Sequence, residues 1–222
     1  MRIVIDMQGA QSSGSRHRGI GRYTLALAQA MVRNRGEHEV MLALSGLFPD
    51  SVEPIRAAFA DLLPQSSIHV WHAPVPVNYL EPSNLGRRLD AENIYEAFLH
   101  ELSPDVIHVT SLFEGLVDDA VTSVRQRRGQ ALVAVTLYDL IPYLNPDPYL
   151  LNPSLKTWYL EKIEHLRRAD LWLAISASSR DEGVQHLGFS SAQCHNISTD
   201  ADAMFCPLAL GPAREQSLRQ QY

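Results

Sequence analysis

Seven short apolar runs recur along this chain. Between them lie longer segments whose apolar residues return every three or four positions. The runs are Arg2–Asp6, Glu39–Leu44, Ser67–His72, Asp105–Thr110, Ala131–Leu137, Leu171–Ser176 and Gln193–Ser198. They are β-branched or near-continuously apolar, the pattern of strands buried on both faces. The intervening segments read as amphipathic helices over Gly21–Asn34, Val52–Leu63, Leu89–Leu102, Leu116–Arg128, Ser154–Arg168 and Ser176–Leu187. In the last of these, Ser179 and Glu182 fit a capping box, and Gly188 fits the C-terminal stop. Strand, helix, strand repeated in this way implies right-handed crossovers. The expected fold is a Rossmann-like α/β domain, a parallel sheet of about seven strands with helices on both faces.

Length and charge narrow the function classes. A chain of 222 residues with 45% hydrophobic and 20% charged residues can bury an ample core. A net charge of −6 argues against a general nucleic-acid binder. Basic residues still cluster at Arg16–Arg22, Arg87-Arg88, Arg125–Arg128 and Arg167-Arg168. Two cysteines, Cys194 and Cys206, make no disulfide framework and point to a reducing compartment. The nine histidines are scattered without CxxC or HExxH spacing, so no metal site is expected. Cys194 and His195 adjoin on a strand and should point to opposite faces. No apolar run is long enough to span a bilayer, and Met1-Arg2 precedes only three apolar residues before Asp6. The expectation is a cytoplasmic protein, with peripheral contact at the inner face of the membrane left open.

Sheets of this type bind ligands beyond the carboxyl ends of their strands. After the first run comes a Gly-, Ser- and Arg-rich loop, and Gly19-Ile20-Gly21 then opens a helix. Free amides and the positive end of the helix dipole meet there, which suits a phosphate, and Arg22 adds charge beside it. Arg16, His17 and Arg18 would contribute further donors. Thr24 stands where a dinucleotide motif has its third glycine, no P-loop lysine follows, and the second run ends Ala43-Leu44-Ser45 without a ribose-binding carboxylate. NAD and ATP in their usual motifs are thereby disfavoured. The bland alternative is a loop whose glycines only make a turn.

Other residues fall at the same edge. Tyr138-Asp139 closes the fifth run, a polar pair that can face a bound ligand. Alternatively, Asp139 stiffens a turn and Tyr138 packs. Ser111 and Glu114 follow the fourth run and could meet acceptor hydroxyls, or form a solvated turn. Tyr79 lies in a loop with Asn78, Glu81, Asn84 and Arg87, a mixture that suits carbohydrate and equally any exposed loop. Tyr143 lies in a Pro-rich loop and is a candidate for acceptor contact. Ser176 and Ser178 lack a Gly-x-Ser-x-Gly setting and read as helix caps. The polar stretch Ala209–Tyr222 reads as a linker.

Four segments together carry a family resemblance: IVIDMQGAQSSGSRHRGIGRY, HVTSLFEG, VTLYDLIP, and ADLWLAISASSRDEGVQHLGF followed by NISTDADAMFCP. In this order they resemble the N-terminal, acceptor-side domain of retaining GT-B-fold glycosyltransferases, the group with bacterial mannosyl- and hexosyltransferases of surface polysaccharide synthesis. The resemblance implies one half of a GT-B fold over residues 1–208, with 209–222 as a linker toward a C-terminal nucleotide-sugar-binding domain outside this sequence. It implies transfer of a hexose from a nucleotide-diphosphate sugar to a polysaccharide or lipid-linked acceptor, with no further cofactor and no metal. Gly19, Ile20, Gly21 and Arg22 would then serve the donor phosphates. Many relatives carry His where Tyr138 stands, while Asp139 matches. The domain alone is expected to be inactive. A non-catalytic glycan-binding or assembly module is the alternative. A sugar-nucleotide epimerase is disfavoured by the missing third glycine and Tyr-x-x-x-Lys dyad. The sequence leaves the oligomeric state open.

Overall fold

The computed structural model describes residues 1–124, 129–200 and 211–221. Seven strands form one parallel sheet: β1 (Arg2–Asp6), β2 (Glu39–Ser45), β3 (Ile68–Trp71), β4 (Val106–Val109), β5 (Leu132–Leu137), β6 (Leu171–Ala174) and β7 (Cys194–Asn196), in the order β3-β2-β1-β4-β5-β6-β7. The helices are α1 (Gly19–Arg33), α2 (Pro49–Ala58), α3 (Leu85–Glu101), α4 (Ile141–Leu144), α5 (Pro146–Tyr149), α6 (Pro153–Arg167), α7 (Ala177–Leu187) and α8 (Pro212–Gln221). Strand order reverses at β1, so the chain leaves β1 toward one edge and returns through α3 to β4 on its other side.

Strand residues alternate between two cores. Ile5, Leu42 and Leu44 join Ala28 and Val32 of α1 and Ile55 of α2. Val4 and Ala43 join Tyr95 of α3, Ile163 of α6 and Leu187 of α7. Each central strand is therefore apolar on both faces, which is why the sequence shows near-continuous apolar runs there. On β7 the neighbours Cys194 and His195 do part company: the first is buried and the second exposed.

Helix ends follow local chemistry. The Asn152 side chain accepts from the amides of Ser154 and Leu155 at 2.9 and 3.1 Å, and Pro153 takes the first helical position of α6. Gly188 ends α7 with φ +73°, a left-handed conformation open to glycine. The cap of α7 differs from the expected capping box. Ser176 is the N-cap and accepts from the Ser179 amide at 3.0 Å, so Ser179 sits inside the helix. Glu182 instead accepts from the Ser178 hydroxyl at 3.3 Å.

The expected helix over Leu116–Arg128 does not form across 116–124. The reason is competition from buried side chains. Val121 exchanges both backbone bonds with Gln8, at 2.7 and 2.5 Å. The Thr122 carbonyl accepts from Lys162 at 2.5 Å, and the Val124 amide donates to His165 at 3.0 Å. A β-branched, Ser/Thr-rich segment loses little by leaving the helix when its polar groups are satisfied elsewhere. The basic run Arg125–Arg128, Cys206, the end of the NISTDADAMFCP segment and Tyr222 lie outside the described residues. Within the stretch read as a linker, Pro212–Gln221 is helical and polar.

Leu42 is fully buried in the core below α1 and α2. Leu42→Ala should lower stability by about 2–5 kcal/mol, read by guanidinium unfolding.

Candidate functional site

The strand ends at the reversal point are closed by loops that two glutamines pin. Gln8 occupies the backbone of Val121, as above. Gln11 does the same for Ser45, accepting from its amide at 2.7 Å and donating to its carbonyl at 3.0 Å. Both glutamines are fully buried. Each acts as a substitute strand partner where the ladder stops. The Ser-rich loop between them and α1 is tied down by carboxylates. Asp118 accepts from the Ser12 hydroxyl at 2.9 Å and from the Ser13 amide at 2.7 Å. Glu114 accepts from Ser15 at 2.5 Å and from Ser111 at 2.7 Å.

This geometry redistributes the roles expected for the first loop. Gly19 and Ile20 begin α1 and come before its first turn closes, with Arg22 donating to the Arg18 carbonyl at 3.1 Å. Gly19 is exposed, and a Cβ added there would meet nothing within 4 Å. Gly21 is different. Its amide donates to the Ser15 carbonyl at 3.1 Å, and a Cβ there would lie 2.5 Å from that oxygen and from the Arg16 Cα. Gly21 thus lets the loop fold back on the helix. Among the described residues the Gly19 and Ile20 amides have no backbone partner, and the exposed Arg22 stands beside them. Arg16, read as a ligand donor, pairs with Asp50 at 2.7 Å and lends its Nε to His17 at 3.0 Å.

Ser111 and Glu114 do not form the solvated turn one reading allowed; both are buried. Their hydrogen bond and that of Ser15 make them a clasp between the loops after β1 and β4. Burial pushes the Glu114 carboxyl up, while the hydroxyls of Ser12, Ser15 and Ser111 oppose that shift. At the end of β5, Asp139 is exposed, and its Oδ1 accepts from the Ile141 amide at 3.0 Å. Tyr138 is half-buried with its hydroxyl inside. Adjacent strand-end residues point to opposite sides, so the pair is split between interior and mouth.

Tyr79 and Tyr143 lie on the α3–α6 side. The Tyr79 backbone pairs with Gly115 at 3.0 Å, its hydroxyl donates to Glu161 at 2.8 Å, and the Arg88 guanidinium stacks 4.1 Å from its ring centre. Burial and the Glu161 carboxylate push the phenol up to about 12. Tyr143 sits on α4, half-buried against the core. Beside Tyr79 a small cavity is lined by Arg88, Glu92, Glu114, Trp158 and Lys162. Buried Lys162 fills its floor, donating to Thr122 Oγ1 at 2.8 Å, and burial draws its ammonium down to about 8. Among the described residues, no group of three His, Cys, Asp or Glu side chains could hold a metal ion. None of their helices is long and apolar enough to cross a membrane.

Sequence reasoning missed Gln8, Gln11, Asp118 and Thr24. A glutamine two and five residues past a strand carries no local signal of the long-range backbone it will meet. A hint did exist in the glutamines themselves, which are polar residues standing next to Met7 and Ala10 in a segment otherwise read as a flexible loop.

The model of Glycosyltransferase Family 4 matches residues 17–199. A serotype-specific mannosyltransferase WbdA of Escherichia coli is 33% identical over 223 residues, covering 100% of this chain and 26% of the relative. A second WbdA of the same species is 29% identical over 197 residues, covering 88% of this chain and 24% of the relative. The chain therefore spans about a quarter of the length of these relatives. Among solved structures, Arabidopsis thaliana UGT89C1 aligns with 99% of this chain and 54% of its own, at 11% identity and a TM-score of 0.48.

Two outcomes follow from the loop packing. Gly21→Ala should cost about 1–3 kcal/mol in urea unfolding, because the obstructing atoms are backbone. Gly19→Ala should cost well under that, since its surroundings are open. A third concerns Asp6, fully buried at the end of β1, where burial pushes its carboxyl up to about 7 from 3.8. A raised folded-state value means the native state holds its proton longer. The contribution of Asp6 is then fully present below about pH 4 and is lost as pH rises through about 7. Asp6→Asn should gain stability relative to wild type across that window, by on the order of a few kcal/mol, measured by denaturation at several pH values.

Proposed function

Since this chain belongs to glycosyltransferase family 4, we propose that it forms the acceptor-side half of a retaining GT-B enzyme. The reaction moves a hexose, mannose in the first instance, from a nucleotide-diphosphate sugar to a polysaccharide or lipid-linked saccharide. Mannose is chosen because the relatives are named as mannosyltransferases of serotype-specific function. Most donor contacts would come from a second domain outside this chain. The reaction would run in the cytoplasm, at the inner face of the membrane where a lipid-linked acceptor is presented.

The observation that carries this reading is the pair of amides at Gly19 and Ile20, without a backbone partner among the described residues, at the start of a 15-residue helix where strand order reverses. Backbone donors that are fixed before the ligand arrives stabilise charge that appears only as the bond breaks. In glycosyl transfer that charge develops on the departing diphosphate, and Arg22 reinforces it. Asp139 stands exposed at the end of β5 and would orient the attacking hydroxyl by accepting its hydrogen bond. Tyr79 and Tyr143 offer aromatic surface on the acceptor side. Same-face attack within an ion pair keeps the anomeric configuration without a protein nucleophile.

The test is transfer from a nucleotide-diphosphate mannose to an oligosaccharide acceptor, by this chain and by the longer protein that includes it. The longer protein should turn over and give product with the donor's anomeric configuration, while the chain alone should not. Asp139→Ala in the longer protein should lower kcat by about a hundredfold. Equal turnover by the chain alone would overturn the two-domain reading. A product of inverted configuration would overturn retention.

A further inference from the structure

Tyr138 precedes Asp139, an exposed carboxylate of the proposed site, yet its own hydroxyl is buried. That oxygen is buried and has no hydrogen-bond partner among the described residues; the same holds for Thr24 Oγ1 on α1. The two hydroxyls face each other closely enough for Thr24 to favour the ionised phenol, though burial outweighs this and pushes the phenol above its usual range. The Tyr138 ring meets the Tyr23 ring edge-on, with centroids 5.7 Å apart and planes at 76°. Tyr138 therefore contacts two consecutive residues of α1, within one turn or so of the Gly19 and Ile20 amides. Thr24 is also backed by Gly9, where an added Cβ would stand 2.6 Å from Thr24 Oγ1. Thr24 thus packs closely on the Gly9 backbone, and Tyr23 on the Tyr138 ring. The strand end is itself held, because the Tyr138 carbonyl accepts from the Ser179 hydroxyl at 2.6 Å.

We propose that Tyr138 is a positioning residue of this site: its ring, not its hydroxyl, sets where the N-terminus of α1 lies relative to Asp139. The inference rests on the reading that this helix start receives the donor diphosphate. A phenol turned inward cannot donate to a substrate at the mouth. It also cannot exchange a proton there. What the ring does is transmit the fixed position of β5 to α1. A shift of about 1 Å in the amides is enough to cost a large factor in stabilising a leaving group.

The experiment uses this chain, with Tyr138→Phe and Tyr138→Ala. Amide hydrogen exchange is read at Gly21 and Arg22, which are bonded to the Ser15 and Arg18 carbonyls at 3.1 Å each, with the Cys194 amide as a distant reference. Inorganic pyrophosphate is titrated while the Gly19 and Ile20 resonances are followed by NMR. Tyr138→Ala should speed exchange at Gly21 and Arg22 by about tenfold relative to Cys194, and weaken pyrophosphate binding by a similar factor. Tyr138→Phe should stay within about twofold of wild type in both, because it keeps the ring that meets Tyr23. The proposal falls if Tyr138→Phe behaves like Tyr138→Ala, or if Tyr138→Ala leaves exchange at Gly21 and Arg22 unchanged. Wild-type chain that gives no pyrophosphate shift at Gly19 and Ile20 would overturn the diphosphate reading instead, and the coupling would be judged on exchange alone. If Tyr138→Ala does not fold, Tyr138→Leu supplies the same comparison.

Discussion

Two buried glutamines close the carboxyl edge of this sheet. A parallel sheet ends in a row of backbone groups that the next loop must satisfy, and in a buried setting each one left open is costly. Gln8 and Gln11 each offer one donor and one acceptor at the spacing of a strand residue. Through them the loop after β1 is joined to Val121 on one side and to Ser45 on the other. The rest of the edge is built on those joints. With Val121 held extended, Thr122 is placed over Lys162 and Val124 over His165. With Ser45 held, Gln11 also reaches Ser51 on α2 at 2.8 Å.

The electrostatics of the edge follow from how the loop is tied. Glu114, Asp118 and Asp50 hold a segment that is otherwise full of serine and arginine. Their carboxylates are engaged by hydroxyls, an amide and a guanidinium. Burial pushes the Glu114 carboxyl up, and the serine hydroxyls that bind it oppose that shift. The result is a helix start at Gly19 and Ile20 whose following amides, Gly21 and Arg22, are tied back to Ser15 and Arg18.

The α3–α6 side is constructed differently. Tyr79, Arg88 and Glu161 form a stacked and hydrogen-bonded bridge between α3, the loop after β3, and α6. Their polar ends are largely spent on one another. Lys162 lies beneath them with its ammonium on Thr122, so a charge that burial disfavours is held by local acceptors. This side supplies shape and aromatic surface, while the α1 corner supplies positive charge.

The seven strands, five of the six expected helices and the α/β class were legible from the chain alone. Strand residues such as Val4, Ile5, Leu42 and Val135 must avoid water on both faces, and that requirement is written in every local window. Gly188 was equally local, since a left-handed stop depends on a few neighbours. The helix expected from Leu116 failed for the opposite reason. Its alternative partners, Gln8, Lys162 and His165, lie far away in sequence, and no periodicity can foresee them. The same holds at the site. The chain itself determined that glycines and arginines would gather at a helix start beyond β1, because composition and spacing put them there. Only the tertiary structure decided that Gly21 serves the loop, that Arg16 belongs to Asp50, that Glu114 is a clasp, and that Tyr138 turns inward while Asp139 turns out. Those outcomes depend on which distant groups arrive within hydrogen-bonding distance, and packing alone sets that.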